Sequence, residues 1–301
     1  MTGRAVGRLL GAVLAGALSV AGSAAAAHPA TASVAGQWVH RTDRVDVGGI
    51  ERTYVLVRPA ALSSSKMPVL VVLHGRTMTP AGAEEMTGFL PVVGPAIVVY
   101  PAGYGRSWNA GACCGEAHTT GADDVGFIKA VVRRTLATER DASSRQVFLA
   151  GYSNGGRMAF RLACEAPQLF AGVAAVEAVP VYSCPHPRPV SLIEVASRDD
   201  PLLDVRPGAA EKVVNGFREP TVDGLVAQWR RSEACQGPGR TVALGALTQT
   251  VWSACAGGTR LAYALYSGGS HAWPRGDGDT PAAERVVWSF FRNRPVPPPT
   301  G

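Results

Sequence analysis

Short, uninterrupted apolar segments recur along most of this chain and are separated by stretches of helical pattern. The segments lie at 68–73 (PVLVVL), 96–100 (AIVVY), 146–150 (QVFLA), 172–179, 190–196 and 261–266. Such runs are typical of strands buried on both faces. The helical patterns cover 123–138, 157–166, 221–234 and 281–291. Strands that alternate with helices predict an α/β fold, with a mostly parallel sheet covered by helices on both faces.

The segments also define the predicted domain. Residues 44–58 alternate apolar and polar about Gly48-Gly49, which predicts an N-terminal β-hairpin. With 301 residues, of which 47% are hydrophobic, the chain is long and apolar enough for one large core. We predict a single domain over residues 38–293, followed by a proline-rich tail over 294–301.

The first residues have the pattern of a secretory signal peptide. Arg4 and Arg8 precede an apolar stretch at 9–20, and small residues follow as far as residue 32. The apolar stretch is shorter than the ~20 residues of a spanning helix, which disfavours a membrane anchor. We predict a signal peptide over 1–27, with cleavage as late as residue 32, and a secreted, extracellular protein with no stable membrane insertion.

The distribution of basic residues argues against one class of partner. The net charge is +6, but apart from Arg133-Arg134 and Arg230-Arg231 the basic residues are scattered. Proteins that bind nucleic acid concentrate such residues on one face. We therefore expect no nucleic-acid partner, and we expect the protein to be a monomer.

Six cysteines in an exported chain favour disulfide bonds. The predicted pairs are Cys235–Cys255, which brackets a strand-like stretch at 241–252, and Cys164–Cys184. The adjacent Cys113 and Cys114 stay unassigned. A zinc site is the alternative, but no Cys-x-x-Cys pair or histidine at ligand spacing supports it.

A Gly-x-Ser-x-Gly motif supplies the candidate nucleophile. Ser153 lies in GYSNGG at 151–156, between the buried segment 146–150 and a helical pattern. A strand that turns sharply into a helix requires small neighbours and presents the serine hydroxyl at the carboxyl edge of the sheet. The next N–H, that of Asn154, can stabilise an oxyanion there. This context predicts an α/β-hydrolase fold with Ser153 as nucleophile, against the alternative of a plain glycine-rich turn.

A serine nucleophile needs a base and an acid that orients the base. In this fold the chain order is serine, acid, histidine, with each partner on a loop after a strand. His271 follows the segment 261–266 in a glycine-rich loop and is the predicted base. Asp200 is the favoured acid; Asp199 and Asp204 remain alternatives, and these carboxylates could instead cap their loop.

The loop after the segment 68–73 should supply a second oxyanion donor. Gly75 lets the backbone turn into the site, and the donor is the N–H of Arg76 or of Thr77. We expect the His74 ring to form local hydrogen bonds rather than to take part in catalysis.

Five motifs support a family assignment. They are VLHG at 72–75, YPAGYGRSWNAGACCG at 100–115, DDVGF at 123–127, GYSNGGRMAFRLACEAP at 151–167 and GGSHAWP at 268–274. Together they resemble the secreted polyhydroxybutyrate depolymerase and feruloyl esterase family, carbohydrate esterase family 1-like α/β-hydrolases that include acetylxylan esterases. The resemblance covers residues 44–293. It implies a Ser–His–Asp triad, which maps onto Ser153, His271 and Asp200.

Two departures from the family pattern bear on the site. The family usually has His-Gly-Thr-x-Asp-Pro around its acid, whereas this chain has ASRDDP at 196–201. Alignment on the Asp-Pro pair selects Asp200 and leaves Asp199 open. The family often has cysteine after His-Gly, where this chain has Arg76. A backbone donor survives that change, but the cation is expected to alter which acyl groups fit.

The predicted function is a secreted serine carboxylic-ester hydrolase that forms an acyl-enzyme and needs no metal or organic cofactor. The resemblance implies action on poly- or oligo(3-hydroxybutyrate), or on feruloyl or acetyl esters of plant polysaccharides. Relatives that erode solid polyester usually carry a binding domain, so the short tail leads us to expect soluble esters. Trp108, Tyr152 and Trp273 adjoin the catalytic loops and are predicted to line the substrate cleft. Alternatively, these rings only pack the loops.

Three other functions are compatible with the same residues. A serine peptidase or an acyltransferase could use the same scaffold and the same triad. A non-catalytic, exported carbohydrate-binding protein would have an inactive triad.

Overall fold

Twelve strands in the described part of the chain form a sheet of ten strands and a separate hairpin. The computed structural model describes Met1 and residues 38–61, 63–185, 188–206 and 209–296. The strands are β1 (Trp38–Val47), β2 (Ile50–Pro59), β3 (Met67–Leu73), β4 (Ile97–Pro101), β5 (Ala142–Tyr152), β6 (Gly172–Val176), β7 (Leu192–Ser197), β8 (Lys212–Val214), β9 (Phe217–Glu219), β10 (Arg240–Leu244), β11 (Leu247–Trp252) and β12 (Leu261–Tyr266). Apart from Met1, the predicted signal peptide lies outside the described residues, as do residues 297–301 of the tail.

Seven α-helices lie in the same described ranges. They are α1 (Pro80–Thr87), α2 (Leu90–Val93), α3 (Gly115–Thr119), α4 (Asp124–Thr138), α5 (Asn154–Glu165), α6 (Val222–Ser232) and α7 (Ala283–Phe291). Short 3-10 helices cover Tyr104–Arg106, Pro167–Leu169 and Ala256–Gly258. The four predicted helices correspond to α4, α5, α6 and α7, although α5 begins three residues earlier than its apolar pattern.

The large sheet has the strand order β1-β2-β4-β3-β5-β6-β7-β12-β11-β10. Its six central strands, from β4 to β12 in that order, are parallel. Antiparallel strands complete both edges, β1 and β2 on one side and β10 and β11 on the other. The predicted α/β class and N-terminal hairpin are therefore confirmed. In the parallel part, the carboxyl ends of β5, β7 and β12 share one edge of the sheet, where ligands bind in such folds.

The side chains of β3 alternate between two apolar cores, one on each face of the sheet. Val69, Val71 and Leu73 pack with residues of α4, α5 and α6. Leu70 and Val72 pack with residues of α1, α2 and α7. Because successive residues of a strand face opposite sides, a strand with a core on both sides must be apolar throughout.

A buried ion pair fastens the N-terminal hairpin to α4. Arg52 of β2 donates from Nη2 to Oδ1 of Asp124 at 2.8 Å, and the two side chains are 7% and 0% exposed. Asp124 also accepts a 2.7 Å hydrogen bond from the N–H of Asn109. The Arg52 guanidinium lies 4.1 Å from the centre of the Phe127 ring. Burial raises the pKa of Asp124, and the hydrogen bonds from Asn109 and Arg52 oppose that rise.

Replacing Arg52 by methionine is expected to lower the free energy of unfolding by about 3–5 kcal/mol, because Asp124 would stay buried without its cation. Urea denaturation at neutral pH would show a lower midpoint with an unchanged slope. Arg44→Met is the matched control on the same hairpin, since Arg44 pairs with Glu51 in an exposed ion pair at 2.9 Å. We expect it to cost about 1 kcal/mol at most. Equal losses in the two variants would contradict the assignment of a strongly stabilising pair.

Candidate active site

Ser153 lies between the end of β5 and the first turn of α5 in a strained backbone conformation. Its φ is 53° and its ψ is −117°, values that a residue other than glycine rarely adopts. A Cβ atom on Gly151 would collide with the carbonyl oxygen of Gly155, and one on Gly155 would collide with that of Leu73. The glycines of the motif are therefore required by close backbone contacts, as its strand–turn–helix context predicts.

The structure brings Ser153, His271 and Asp200 together from three different strands. The Ser153 hydroxyl lies 2.7 Å from Nε2 of His271, although the two residues are 118 positions apart. Nδ1 of the same ring lies 2.7 Å from Oδ2 of Asp200. With the carboxylate at Nδ1, the ring carries its proton there, and Nε2 can accept the hydroxyl proton of Ser153.

The alternative acids lie elsewhere. Asp199 is exposed and forms no hydrogen bond with His271. Asp204 accepts hydrogen bonds from its neighbour Arg206 at 2.8 and 3.0 Å. Those bonds lower the pKa of Asp204 to about 2. Of the three candidates, only Asp200 contacts the imidazole.

The Asp200 carboxylate is buried and held by several donors. Oδ1 accepts a 2.7 Å hydrogen bond from the N–H of Leu202, while Oδ2 accepts from His271. Burial alone would raise the pKa of Asp200, but hydrogen bonds from His271, Glu177 and Leu202 outweigh it and lower the pKa. The carboxylate is therefore ionised at neutral pH and can stabilise a positively charged imidazole.

Two backbone N–H groups near Ser153 are available as oxyanion donors. Asn154 is the first residue of α5, so its N–H has no partner within the helix. Arg76 follows Gly75 on the loop after β3, which pairs with β5. The N–H of Thr77 already donates to the carbonyl of Arg106 at 2.7 Å, whereas the N–H of Arg76 bonds to none of the described residues. Of the two donors considered from sequence, Arg76 is thus the available one.

A hydrogen-bonded network holds the loop after β3 and the loop that contains Trp108 beside the start of α5. The side-chain amide of Asn154 accepts from the N–H of Trp108 at 2.8 Å and donates to its carbonyl at 3.0 Å. His74 is buried; Nε2 accepts from the N–H of Gly103 at 2.9 Å, so Nδ1–H donates to the carbonyl of Gly75 at 2.8 Å. Burial lowers the pKa of His74, so it is neutral at neutral pH. As expected, its bonds are local and hold neighbouring loops.

The three aromatic residues predicted to line the substrate cleft are buried, which corrects that prediction. Trp108 is 0% exposed, Trp273 3% and Tyr152 8%. Their polar atoms point inward, to the carbonyls of His74 and His271 and to the carboxyl group of Glu284. Buried rings with satisfied polar groups support the catalytic loops, and Tyr152 in particular holds the backbone of His271 at 2.8 Å.

Three disulfide bonds lie in the described chain. They join Cys164 to Cys184, Cys235 to Cys255, and Cys113 to the adjacent Cys114. The Cys113–Cys114 pair lies in the loop before α3, where the side chain of Arg157 approaches Cys114. Among the described residues, no group of three or more histidine, cysteine, aspartate or glutamate side chains is arranged to hold a metal ion. None of the described helices is long and apolar enough to cross a membrane.

Comparison with known proteins gives the family. The family model described as "Putative esterase" matches residues 50–216, more than half of the chain. The chain is 29% identical over 258 residues to "Putative esterase NocK" of Nocardia uniformis subsp. tsuyamanensis, covering 77% of this chain and 73% of that protein. It is 27% identical over 258 residues to "Feruloyl esterase C" of Emericella nidulans, covering 80% and 83%.

Two further likenesses concern a longer relative and the fold. The chain is 24% identical over 262 residues to "Feruloyl esterase B" of Piromyces equi and spans 46% of that protein's length. The acetyl xylan esterase from Aspergillus awamori superposes with a TM-score of 0.60 at 17% identity, covering 84% of this chain and 99% of that one. The chain therefore belongs to the "Putative esterase" family and is a carboxylic ester hydrolase of the carbohydrate esterase family 1-like α/β-hydrolase type.

Proposed function

We propose that this protein is a secreted serine esterase in which Ser153 is the nucleophile, His271 the general base and Asp200 the acid that orients it. The observation that carries the proposal is the pair of 2.7 Å contacts that link the serine hydroxyl to Nε2, and Nδ1 to the carboxylate. This arrangement of hydroxyl, imidazole and carboxylate activates a serine in unrelated hydrolases.

The acylation step follows from this geometry. His271 takes the hydroxyl proton as the Ser153 oxygen bonds to the ester carbonyl carbon, and Asp200 stabilises the imidazolium. The resulting oxyanion accepts hydrogen bonds from the N–H groups of Asn154 and Arg76, each lowering the barrier by about 3 kcal/mol. The ester C–O bond then breaks, and His271 returns the proton to the departing alcohol.

Deacylation repeats the same chemistry with water. His271 removes a proton from a water molecule that attacks the acyl-enzyme carbonyl, and the same two N–H groups stabilise the second oxyanion. The bond to Ser153 breaks, the serine oxygen regains the proton from His271, and the free acid leaves. The chain's own side chains and backbone are sufficient for each proton transfer.

We propose feruloyl or acetyl esters of plant polysaccharide fragments as substrates. The relatives from Piromyces equi and Emericella nidulans are named feruloyl esterases, and a structural neighbour is an acetyl xylan esterase. Oligomers of 3-hydroxybutyrate form the second candidate, favoured by the depolymerase-like motifs around Ser153 and His271. Export is supported by the signal-peptide pattern and by the three disulfides, because such bonds persist in oxidising compartments.

The substrate proposal is tested by comparing kcat/KM on four esters: p-nitrophenyl acetate, methyl ferulate, acetylated xylan and 3-hydroxybutyrate oligomers. We expect the first three to be hydrolysed, with methyl ferulate or acetylated xylan preferred over the oligomers. A preference for the oligomers would replace the polysaccharide proposal by the second candidate. Cleavage of an aminoacyl anilide faster than any of the four esters would favour the peptidase alternative instead.

A further inference from the structure

A second buried carboxyl group lies directly behind the catalytic acid. Glu177 follows β6, the strand between β5, which leads to Ser153, and β7, which leads to Asp200. It is 1% exposed and has a φ of 50°, in the region that residues other than glycine rarely adopt. The strand predicted over 172–179 ends at Val176, immediately before this residue. A carboxyl group held in a strained conformation at the edge that carries the active site needs a physical reason.

Glu177 connects the two loops that carry the acid and the base. The Ser197 hydroxyl donates to Oε1 of Glu177 at 2.5 Å, and the Ser197 N–H donates to Oε2 at 3.1 Å. Ser197 ends β7, and its carbonyl accepts from the N–H of Asp200 at 3.3 Å. The Ser197 side chain also packs against Gly269, where an added Cβ would approach its Oγ within 2.9 Å. A change at Glu177 would therefore affect both the loop that carries Asp200 and the loop that carries His271.

The buried carboxyl groups of Glu177 and Asp200 also act on each other: Glu177 lowers the pKa of Asp200, and Asp200 raises the pKa of Glu177. Burial and mutual repulsion disfavour two ionised carboxyl groups in the same site, so one of them holds a proton. Asp200 has His271 and the N–H of Leu202 to stabilise its charge. The other titratable groups that act on or are acted on by Glu177 are Glu194, Tyr152, Tyr263 and Tyr266.

None of those four groups is a cation, so the proton belongs on Glu177. Burial raises the pKa of Glu177 to about 9, the Ser197 hydroxyl opposes that rise, and the contact with Asp200 adds to it. Below that pH the group is an uncharged acid with one O–H donor, and the remaining lone pairs accept from Ser197.

We infer that Glu177 is a positioning residue of the triad: as an uncharged carboxylic acid it donates a hydrogen bond to the Asp200 carboxylate and holds it behind His271. The inference rests on the proposed triad. It gives Asp200 three donors, the imidazole Nδ1–H, the Leu202 N–H and the Glu177 O–H. Ionisation of Glu177 would remove that third donor and place a second negative charge beside Asp200, which displaces the carboxylate from the imidazole.

Two substitutions separate this role from simple packing. In Glu177→Gln the amide NH2 can donate to Asp200, the amide oxygen can accept from Ser197, and the side chain cannot ionise. In Glu177→Ala both functions are lost. Initial rates of p-nitrophenyl acetate hydrolysis, corrected for the uncatalysed reaction, would be measured from pH 5.5 to 10.5 for the wild-type protein and both variants, and kcat and KM would be reported separately.

We expect the wild-type kcat to fall as the pH rises through about 9, where Glu177 loses its proton, and we expect Glu177→Gln to lack that fall. At pH 7 the glutamine variant should keep kcat within about threefold of wild type. The alanine variant should lose about 10- to 100-fold in kcat at every pH with little change in KM, because a misplaced catalytic group costs rate rather than affinity. Should the alanine variant not fold, the glutamine profile alone decides.

Three results would overturn the inference: an alkaline limb in Glu177→Gln identical to wild type, a glutamine variant as slow as alanine, or an alanine variant with wild-type kcat. Ser153→Ala, assayed in parallel, distinguishes a wrong triad from a wrong role for Glu177. If that variant keeps its turnover, the triad itself is wrong. If it is inactive while Glu177→Gln retains the alkaline limb, only the role of Glu177 is wrong.

Discussion

Ser153→Ala is expected to lower kcat by about 10⁶-fold for every ester that the wild-type protein hydrolyses, because it removes the oxygen that is proposed to bond to the acyl group. The variant should fold normally, since the hydrogen bond that it loses is the one to the partly buried His271 ring. Activity would be followed with p-nitrophenyl acetate at high enzyme concentration, and folding by the midpoint of thermal unfolding. The small hydroxyl-to-hydrogen change relieves no clash and opens only a minor space.

Ser144→Ala is the matched control for this experiment. Ser144 lies near the start of β5 and is exposed, whereas Ser153 follows the end of the same strand. The control should keep kcat within about twofold, as expected for surface substitutions. An organophosphonate should label the wild type and Ser144→Ala at Ser153 and leave Ser153→Ala unlabelled. Turnover above about one hundredth of wild type in Ser153→Ala would contradict the assignment of the nucleophile.

Asp200→Asn is expected to lower kcat by about 10⁴-fold, the loss produced by the same change in a serine protease triad. The asparagine oxygen can still accept from the N–H of Leu202, which leaves the amide NH2 facing Nδ1 of His271. An NH2 group there favours the tautomer with its proton on Nε2, and that tautomer cannot accept the Ser153 proton. The loss should appear in kcat at pH 7 with KM nearly unchanged.

The neighbouring carboxylate offers a control of the same chemistry at the next position. Asp199 is exposed and does not contact His271, so Asp199→Asn should change kcat by about twofold at most. The pair of variants tests the choice that alignment on the Asp-Pro dipeptide leaves open. A larger loss in Asp199→Asn than in Asp200→Asn would transfer the orienting role to Asp199 and require a different loop conformation from the one described.

The sequence predicts the serine and the histidine of the candidate site because each has a strong local signal. Ser153 follows a buried strand within a glycine-flanked motif, and His271 follows another buried strand in a glycine-rich loop. The acid lacks such a signal, since Asp199, Asp200 and Asp204 share one loop and similar surroundings in sequence. Only the path of the backbone after β7 decides which carboxylate faces the imidazole.

Two features escaped prediction for physical reasons. Proximity along the chain does not reveal where a ring points, and Trp108 turns inward to satisfy its indole N–H on the carbonyl of His74. Sequence periodicity places Glu177 inside the apolar segment 172–179, because it does not show that the backbone leaves the strand at Val176. The sequence does contain one signal for Glu177: it is a carboxylate at the carboxyl end of a buried strand, on the edge of the sheet that carries the serine.

Asn154 is constrained through two sets of atoms with separate tasks. Its backbone N–H is a candidate oxyanion donor, and every residue except proline has an equivalent group. Its side-chain amide accepts one hydrogen bond from the backbone of Trp108 and donates another to it. This pair of bonds requires a side chain of that length with both an acceptor and a donor. The choice of asparagine at this position is thus dictated by the architecture of the adjacent loop. A substitution at position 154 would keep the backbone N–H but remove the two side-chain hydrogen bonds to Trp108. The activity that such a variant retains would therefore measure how rigidly the adjacent loop must be held.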